Sequence, residues 1–139
     1  MKNLYRLFTA STVFALLLFN SCEPVDVIVE DLTPKLTSGS WTFSSLDGGD
    51  NTTTNFYTFL YTDDVITFNS DGTCTNNQLA ESGSGTWSMD ANQTTLTLNI
   101  TFPSGDTRNE TWSISSITDT QLVYSFEISP NTLDMTYVH

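Results

Sequence analysis

The stretch Thr95–Phe102 reads TLTLNITF. Leu96, Leu98, Ile100 and Phe102 fall on one face, and Thr95, Thr97, Asn99 and Thr101 on the other. A period of two with threonine on the wet face specifies a half-buried antiparallel strand. The alternation returns at Trp41 and Phe43, Ile66 and Phe68, Trp87 and Met89, Trp112 and Ile114, then Leu122, Tyr124 and Phe126, then Leu133, Met135 and Tyr137. No segment shows a helical period of 3.6, so the chain reads as all-β.

The breaks between these runs have turn chemistry. Asn69-Ser70-Asp71-Gly72, Gly83-Ser84-Gly85, Asp90-Ala91-Asn92-Gln93, Pro103-Ser104-Gly105-Asp106, Thr118-Asp119-Thr120 and Ser129-Pro130-Asn131 separate the runs with residues that tolerate tight or left-handed turns. Short strands joined in sequence predict an antiparallel up-and-down meander of about eight strands. Closure into a barrel removes the exposed edges. Asp47–Asn55 (DGGDNTTTN) is too poor in apolar residues for a strand and reads as a polar loop leading to FYTFLY.

Residues 1–21 read as a signal peptide. Lys2 and Arg6 form a positive start, Leu7–Phe19 an apolar run too short to span a bilayer comfortably, and Ser21 a small residue before Cys22. This ending resembles the lipobox of bacterial lipoproteins, in which the cysteine is acylated and becomes the first mature residue. Phe19 and Asn20 replace the usual leucine and small residue, as in the looser boxes of Bacteroidota-type lipoproteins. The expectation is a protein anchored to the outer membrane by lipid, palmitate for example, on Cys22. It faces either the periplasm or the cell surface. Several acyl chains on one cysteine hold a protein firmly, at about 0.8 kcal/mol per buried methylene. Residues 22–37 then read as an acidic tether, and residues 38–139 as the β domain. Glu23, Asp26, Glu30 and Asp31 close behind the cysteine suit either a solvated linker or a surface-export address.

Past Cys22 the chain carries sixteen acids against Lys35 and Arg108, a formal charge of −14. Such a surface repels phosphate backbones, which argues against nucleic-acid binding. Catalytic sets are missing. The only histidine is the terminal His139, so neither a serine nor a cysteine nucleophile has a well-held base, and no zinc set exists. Cys74 reads as a small strand residue. Asp63 with Asp64, and Glu110 with Glu127, are the carboxylate pairs that acid–base chemistry would need; solvated side chains are the simpler reading. No cofactor or metal is expected, and the chain reads as a non-enzyme.

With these runs in place, a family resemblance is visible. Gly39-Ser40-Trp41 is similar to the Gly-x-Trp opening of lipocalins. The order DDVITFNSDGTCT (63–75), SGSGTWSM (82–89), TTLTL, then WSISSITDTQLVYSF (112–126) resembles the lipocalin-like lipoproteins of Bacteroidota. The resemblance implies a lipocalin-like barrel that binds a small hydrophobic molecule. Lipocalins usually carry an arginine near the last strand; here the only arginine of the domain is Arg108. An eight-stranded barrel either fills with side chains or holds one small ligand. The candidate ligand contacts are Trp41, Phe43, Phe68, Trp87, Trp112, Tyr124 and Tyr137. If the interior is filled, the domain instead serves as a structural module, or binds an envelope protein or a glycan through Phe56, Tyr57, Phe59 and Tyr61.

Overall fold

The computed structural model describes residues 29–139; the signal-peptide and Cys22 readings lie outside the described residues. Eight antiparallel strands close into a barrel in simple sequence order, with the first strand paired to the last. They are β1 (Ser40–Asp47), β2 (Val65–Phe68), β3 (Thr73–Gln78), β4 (Glu81–Met89), β5 (Thr95–Thr101), β6 (Thr107–Ile117), β7 (Gln121–Ile128) and β8 (Asn131–Val138). Helix α1 (Thr33–Leu36) precedes β1, and helix α2 (Asn51–Tyr61) lies between β1 and β2. The up-and-down barrel is therefore the architecture that the alternation predicts.

The eighteen residues at the apolar alternating positions all lie in the core or pack against it. Each of those that is fully buried contributes about 1.5–3 kcal/mol. The register keeps them in phase. Trp41 sits opposite Ile66, Trp87 opposite Leu98, Leu96 opposite Trp112, and Tyr124 opposite Met135.

Two segments depart from the sequence reading. Residues 51–61 form a helix where a loop and an aromatic segment were expected. Asp50 caps its start: Oδ1 accepts from the Thr52 and Thr53 amides at 2.8 and 3.0 Å, which satisfies donors that a helix start leaves unpaired. The helix seats Tyr57, Leu60 and Tyr61 against the barrel, with Thr53 and Thr54 half-buried on the same face. That is a true i, i+4, i+7 stripe. Its threonines and the exposed Phe56 and Phe59 hide it from a hydropathy reading. The second departure is Leu36 at the end of α1, inside the stretch read as tether. It is fully buried, and its carbonyl accepts from Trp41 Nε1 at 2.9 Å. The folded unit thus begins before residue 38.

The hairpin between β3 and β4 also turns elsewhere than expected. Leu79 and Ala80 make the turn, both at positive φ (49° and 66°), between the paired Gln78 and Glu81. Two consecutive left-handed residues are the geometry of the two-residue hairpin turn that suits strand twist, though Asn-Gly usually fills it. Gly83 and Gly85 instead lie within β4. A Cβ at Gly83 would lie 2.6 Å from Ile100 Cγ2, and one at Gly85 would lie 1.8 Å from the Asn99 carbonyl oxygen. These glycines allow β4 and β5 to approach closely.

The barrel has two unlike ends. The lower end carries α1, the β2–β3, β4–β5 and β6–β7 turns, and the C-terminus. There Leu32 N donates to Gln93 Oε1 at 3.1 Å, and the His139 ring lies 3.8 Å from that of Trp41. The upper end carries α2 and the β3–β4, β5–β6 and β7–β8 turns. Here the wall is incomplete. The β6–β7 register runs from Ile117–Leu122 only as far as Ser113–Ser125. Above that, β6 is paired to β5 alone and β7 to β8 alone.

The close approach at Gly85 makes a specific prediction. Gly85→Ala should destabilise the domain by about 1–3 kcal/mol, the cost of forcing atoms into a packed site. Gly105→Ala, where an added Cβ meets nothing within 4 Å, should cost less despite its positive φ. Urea unfolding of both variants checks the order.

Candidate functional site: a buried ion-pair network beneath an open slot

The alternation of β6 continues back from Trp112 to Glu110 and Arg108, so strand geometry alone points both charged side chains inward. Arg108 is 7% exposed. Its Nη1 donates to Asp64 Oδ2 and to Asn76 Oδ1, both at 3.1 Å. Its Nε donates to Glu110 Oε1 at 2.9 Å. Asp64 sits just before β2 and is fully buried; it also accepts from Asn76 Nδ2 and from the Tyr137 hydroxyl. Glu110 accepts from Trp112 Nε1 at 2.6 Å and from the Tyr61 hydroxyl at 3.4 Å. The guanidinium lies 5.1 Å from the Tyr61 ring centroid and 5.7 Å from that of Trp112, close enough for cation–π attraction.

The reading of Asp64 and Glu110 as solvated surface acids is thus corrected. Neither acts with the neighbour proposed for it. Asp63 and Glu127 are exposed, while Asp64 and Glu110 share Arg108. Burial alone would disfavour the charge on Arg108, but Glu110, Tyr137, Asp64 and Tyr61 around it outweigh that and hold its pKa well above the ordinary value. Burial, opposed by the Arg108 charge, raises the Tyr61 hydroxyl far above its usual range. Two buried polar atoms of this region have no hydrogen-bond partner among the described residues: Arg108 Nη2 and the Tyr124 hydroxyl.

Above the network lies a solvent-open cavity of about 850 Å³. It is the slot left where β6 and β7 part. Inward residues (Arg108, Glu110, Phe126, Ile128) and outward residues (Thr107, Asn109, Thr111, Ser113, Ser125, Glu127) both line it, with Tyr61 from α2, Gln78, Leu79 and Glu81 from the β3–β4 hairpin, and Phe102 and Asp106 from the β5–β6 turn.

The seven aromatic residues predicted as ligand contacts lie elsewhere. None of Trp41, Phe43, Phe68, Trp87, Trp112, Tyr124 and Tyr137 lines the cavity. The structure does bring them together, as the packed interior. Trp112 stacks on Tyr124 at 3.8 Å, Tyr124 lies 5.8 Å from Tyr137, and Phe68 meets Trp87 and Trp112 edge-on. Trp87 Nε1 donates to the Asn69 carbonyl at 3.0 Å. The barrel below the network is therefore filled, and the space available to a ligand is at its upper end. Cys74 is a buried strand residue, as expected, and burial pushes its thiol up to about 11. Among the described residues no group of three His, Cys, Asp or Glu could hold a metal ion.

Removing one member of a buried ion pair strands the other, at about 3–5 kcal/mol. Arg108→Met should therefore lower Tm by more than about 10 °C, since each kcal/mol shifts a domain of this size by about 4–8 °C. Adding Asp64→Leu should restore part of the loss. Calorimetry of the single and double variants checks both, and a double variant less stable than the single one would show that Asp64 does not depend on Arg108.

Comparison with known proteins agrees with this architecture. Residues 37–124 match the family described as "Lipocalin-like domain". The crystal structure of a DUF4847 family protein from Bacteroides vulgatus superposes with a TM-score of 0.54 at 17% identity, over 78% of this chain and 97% of that one. No curated protein matches the sequence. The match covers well over half of the chain and the closed eight-stranded barrel accompanies it: the protein belongs to the lipocalin-like domain family.

Proposed function

We propose that this protein is a lipid-anchored envelope lipoprotein whose barrel binds a small, largely apolar molecule in the slot between β6 and β7. The observation that carries the binding role is the cavity of about 850 Å³. Its size lies within the roughly 300–1,000 Å³ of small-molecule sites, and it combines apolar walls with a few fixed polar groups, as such sites do. Phe102, Phe126, Ile128 and Leu79 supply the apolar surface, and Arg108, Glu110, Tyr61 and Gln78 the polar groups. On this reading the chain is a binding module rather than an enzyme. The two buried carboxylates are committed to one guanidinium, and no internal histidine exists to act as a base.

Support for anchoring comes from the sequence: a short positive start, an apolar run and Ser21-Cys22. The fold adds an orientation. Helix α1, the described element nearest Cys22, sits at the lower end of the barrel, opposite the cavity. An acyl chain on Cys22 would place the lower end toward the outer membrane and the slot toward solvent.

A second reading has its own observation. Phe56 and Phe59 on α2 and Leu79 on the β3–β4 turn are 56%, 72% and 60% exposed, and Leu79 also borders the cavity. Exposed large apolar side chains at one end suit contact with an envelope protein or a glycan.

Two experiments test the main reading. Cells given labelled palmitate should mark the wild-type chain but not Cys22→Ala; label on the variant would remove the anchor. Native mass spectrometry of the protein from its own cells should show an added small mass. Thr111→Trp, an exposed position on the slot, should remove that mass while leaving Tm within about 3 °C, as surface changes usually do. Retention of the mass would place the ligand elsewhere.

A further inference from the structure

We propose that the slot selects a positively charged ligand: an ammonium or quaternary amine on an apolar body, not a fatty acid or other anion. The inference rests on the small-molecule reading above and adds to it the sign of the ligand's charge.

Two observations carry it. The first is the charge balance of the buried network. Arg108 is the one cation there, and Asp64 and Glu110 both pair with it. Two carboxylates against one guanidinium leave one negative charge that no other cation among the described residues matches. A buried charge without a counter-charge is costly, and Glu110, which lines the cavity, is where a ligand cation would meet it. The second observation is the wall above. Glu81, Asp106 and Glu127 line the same cavity, and Arg108 is its only basic residue. The other basic side chain among the described residues, Lys35, sits in α1 at the opposite end and pairs with Glu30 at 2.6 Å. A cleft lined by one sign of charge focuses its field and concentrates counter-ions.

The aromatic content suits the same ligand. Tyr61, Phe102 and Phe126 line the cavity, and aromatic faces attract ammonium groups that have lost part of their water. An anionic ligand would face Glu110 and the three rim acids with a guanidinium already shared between two carboxylates. Arg108 Nη2, buried without a partner among the described residues, leaves a donor nitrogen for a neutral oxygen on the ligand.

The test uses three water-soluble probes of similar size: 3-phenylpropyltrimethylammonium, 3-phenylpropanol and 4-phenylbutanoate. Isothermal titration calorimetry measures each against the full chain in nanodiscs of neutral lipid, with empty nanodiscs as reference. The quaternary amine should bind at least about tenfold more tightly than the carboxylate, a difference of about 1.4 kcal/mol. The alcohol should fall between them. The exposed triple variant Glu81→Gln/Asp106→Asn/Glu127→Gln should reduce the preference for the amine by at least about threefold, and salt should reduce it in the wild type. Equal binding of all three probes, or tightest binding of the carboxylate, would overturn the charge selection while leaving the small-molecule site in place. If no probe binds, the small-molecule reading falls and the charge selection with it.

Discussion

The contact between Arg108 and Asp64 braces this barrel where its wall is weakest. Strand β2 is short and pairs with only the first residues of β1. Strands β6 and β7 part above Ser113–Ser125. Arg108 projects inward from the half of β6 that β7 leaves unpaired and reaches Asp64 at the mouth of β2, Asn76 on β3 and, through Asp64, Tyr137 on β8. Side chains thus join four strands at the end where the β1–β2 and β6–β7 ladders stop short. A buried ion pair adds little net stability compared with a well-packed apolar alternative, but breaking it is expensive. Its value lies in fixing one arrangement of the upper end.

That arrangement divides the interior. Below the network, tryptophan, tyrosine and leucine side chains fill the barrel, with α1 and the Trp41–His139 contact closing the floor. Above it, α2 covers the gap over β2 and brings Tyr61 to Glu110. The gap between β6 and β7 has no such cover and remains the slot. A filled interior and an open cavity, which an eight-stranded barrel offers as alternatives, here share one molecule at opposite ends.

The inward positions were legible because strand period is a local property. Leu96, Leu98 and Ile100 point inward for the same reason in any half-buried strand. The same rule, run backward from Trp112, also places Glu110 and Arg108 inside, and run backward from Phe68 and Ile66 it places Asp64 there. Hydropathy opposes that reading, since a lone charge is not expected in a core. Only the meeting of Arg108 with Asp64, 44 positions apart, makes the burial of either acceptable. Helix α2 was missed for a related reason. Its polar, threonine-rich first half reads as loop, and its helicity depends on the Asp50 cap and on the barrel surface that Tyr57, Leu60 and Tyr61 cover.

The sequence by itself determined the count of about eight strands, the antiparallel class and the identity of the core side chains on the alternating runs. Each of these follows from alternation and turn chemistry within a few residues. Only the tertiary structure decided which polar residues are buried, where the wall opens and which end holds the cavity. Those features depend on closure, in which β1 meets β8 and strands distant in sequence share one interior. Charge pairing across that interior, and the lapse of pairing between β6 and β7, are set by geometry that no local pattern carries.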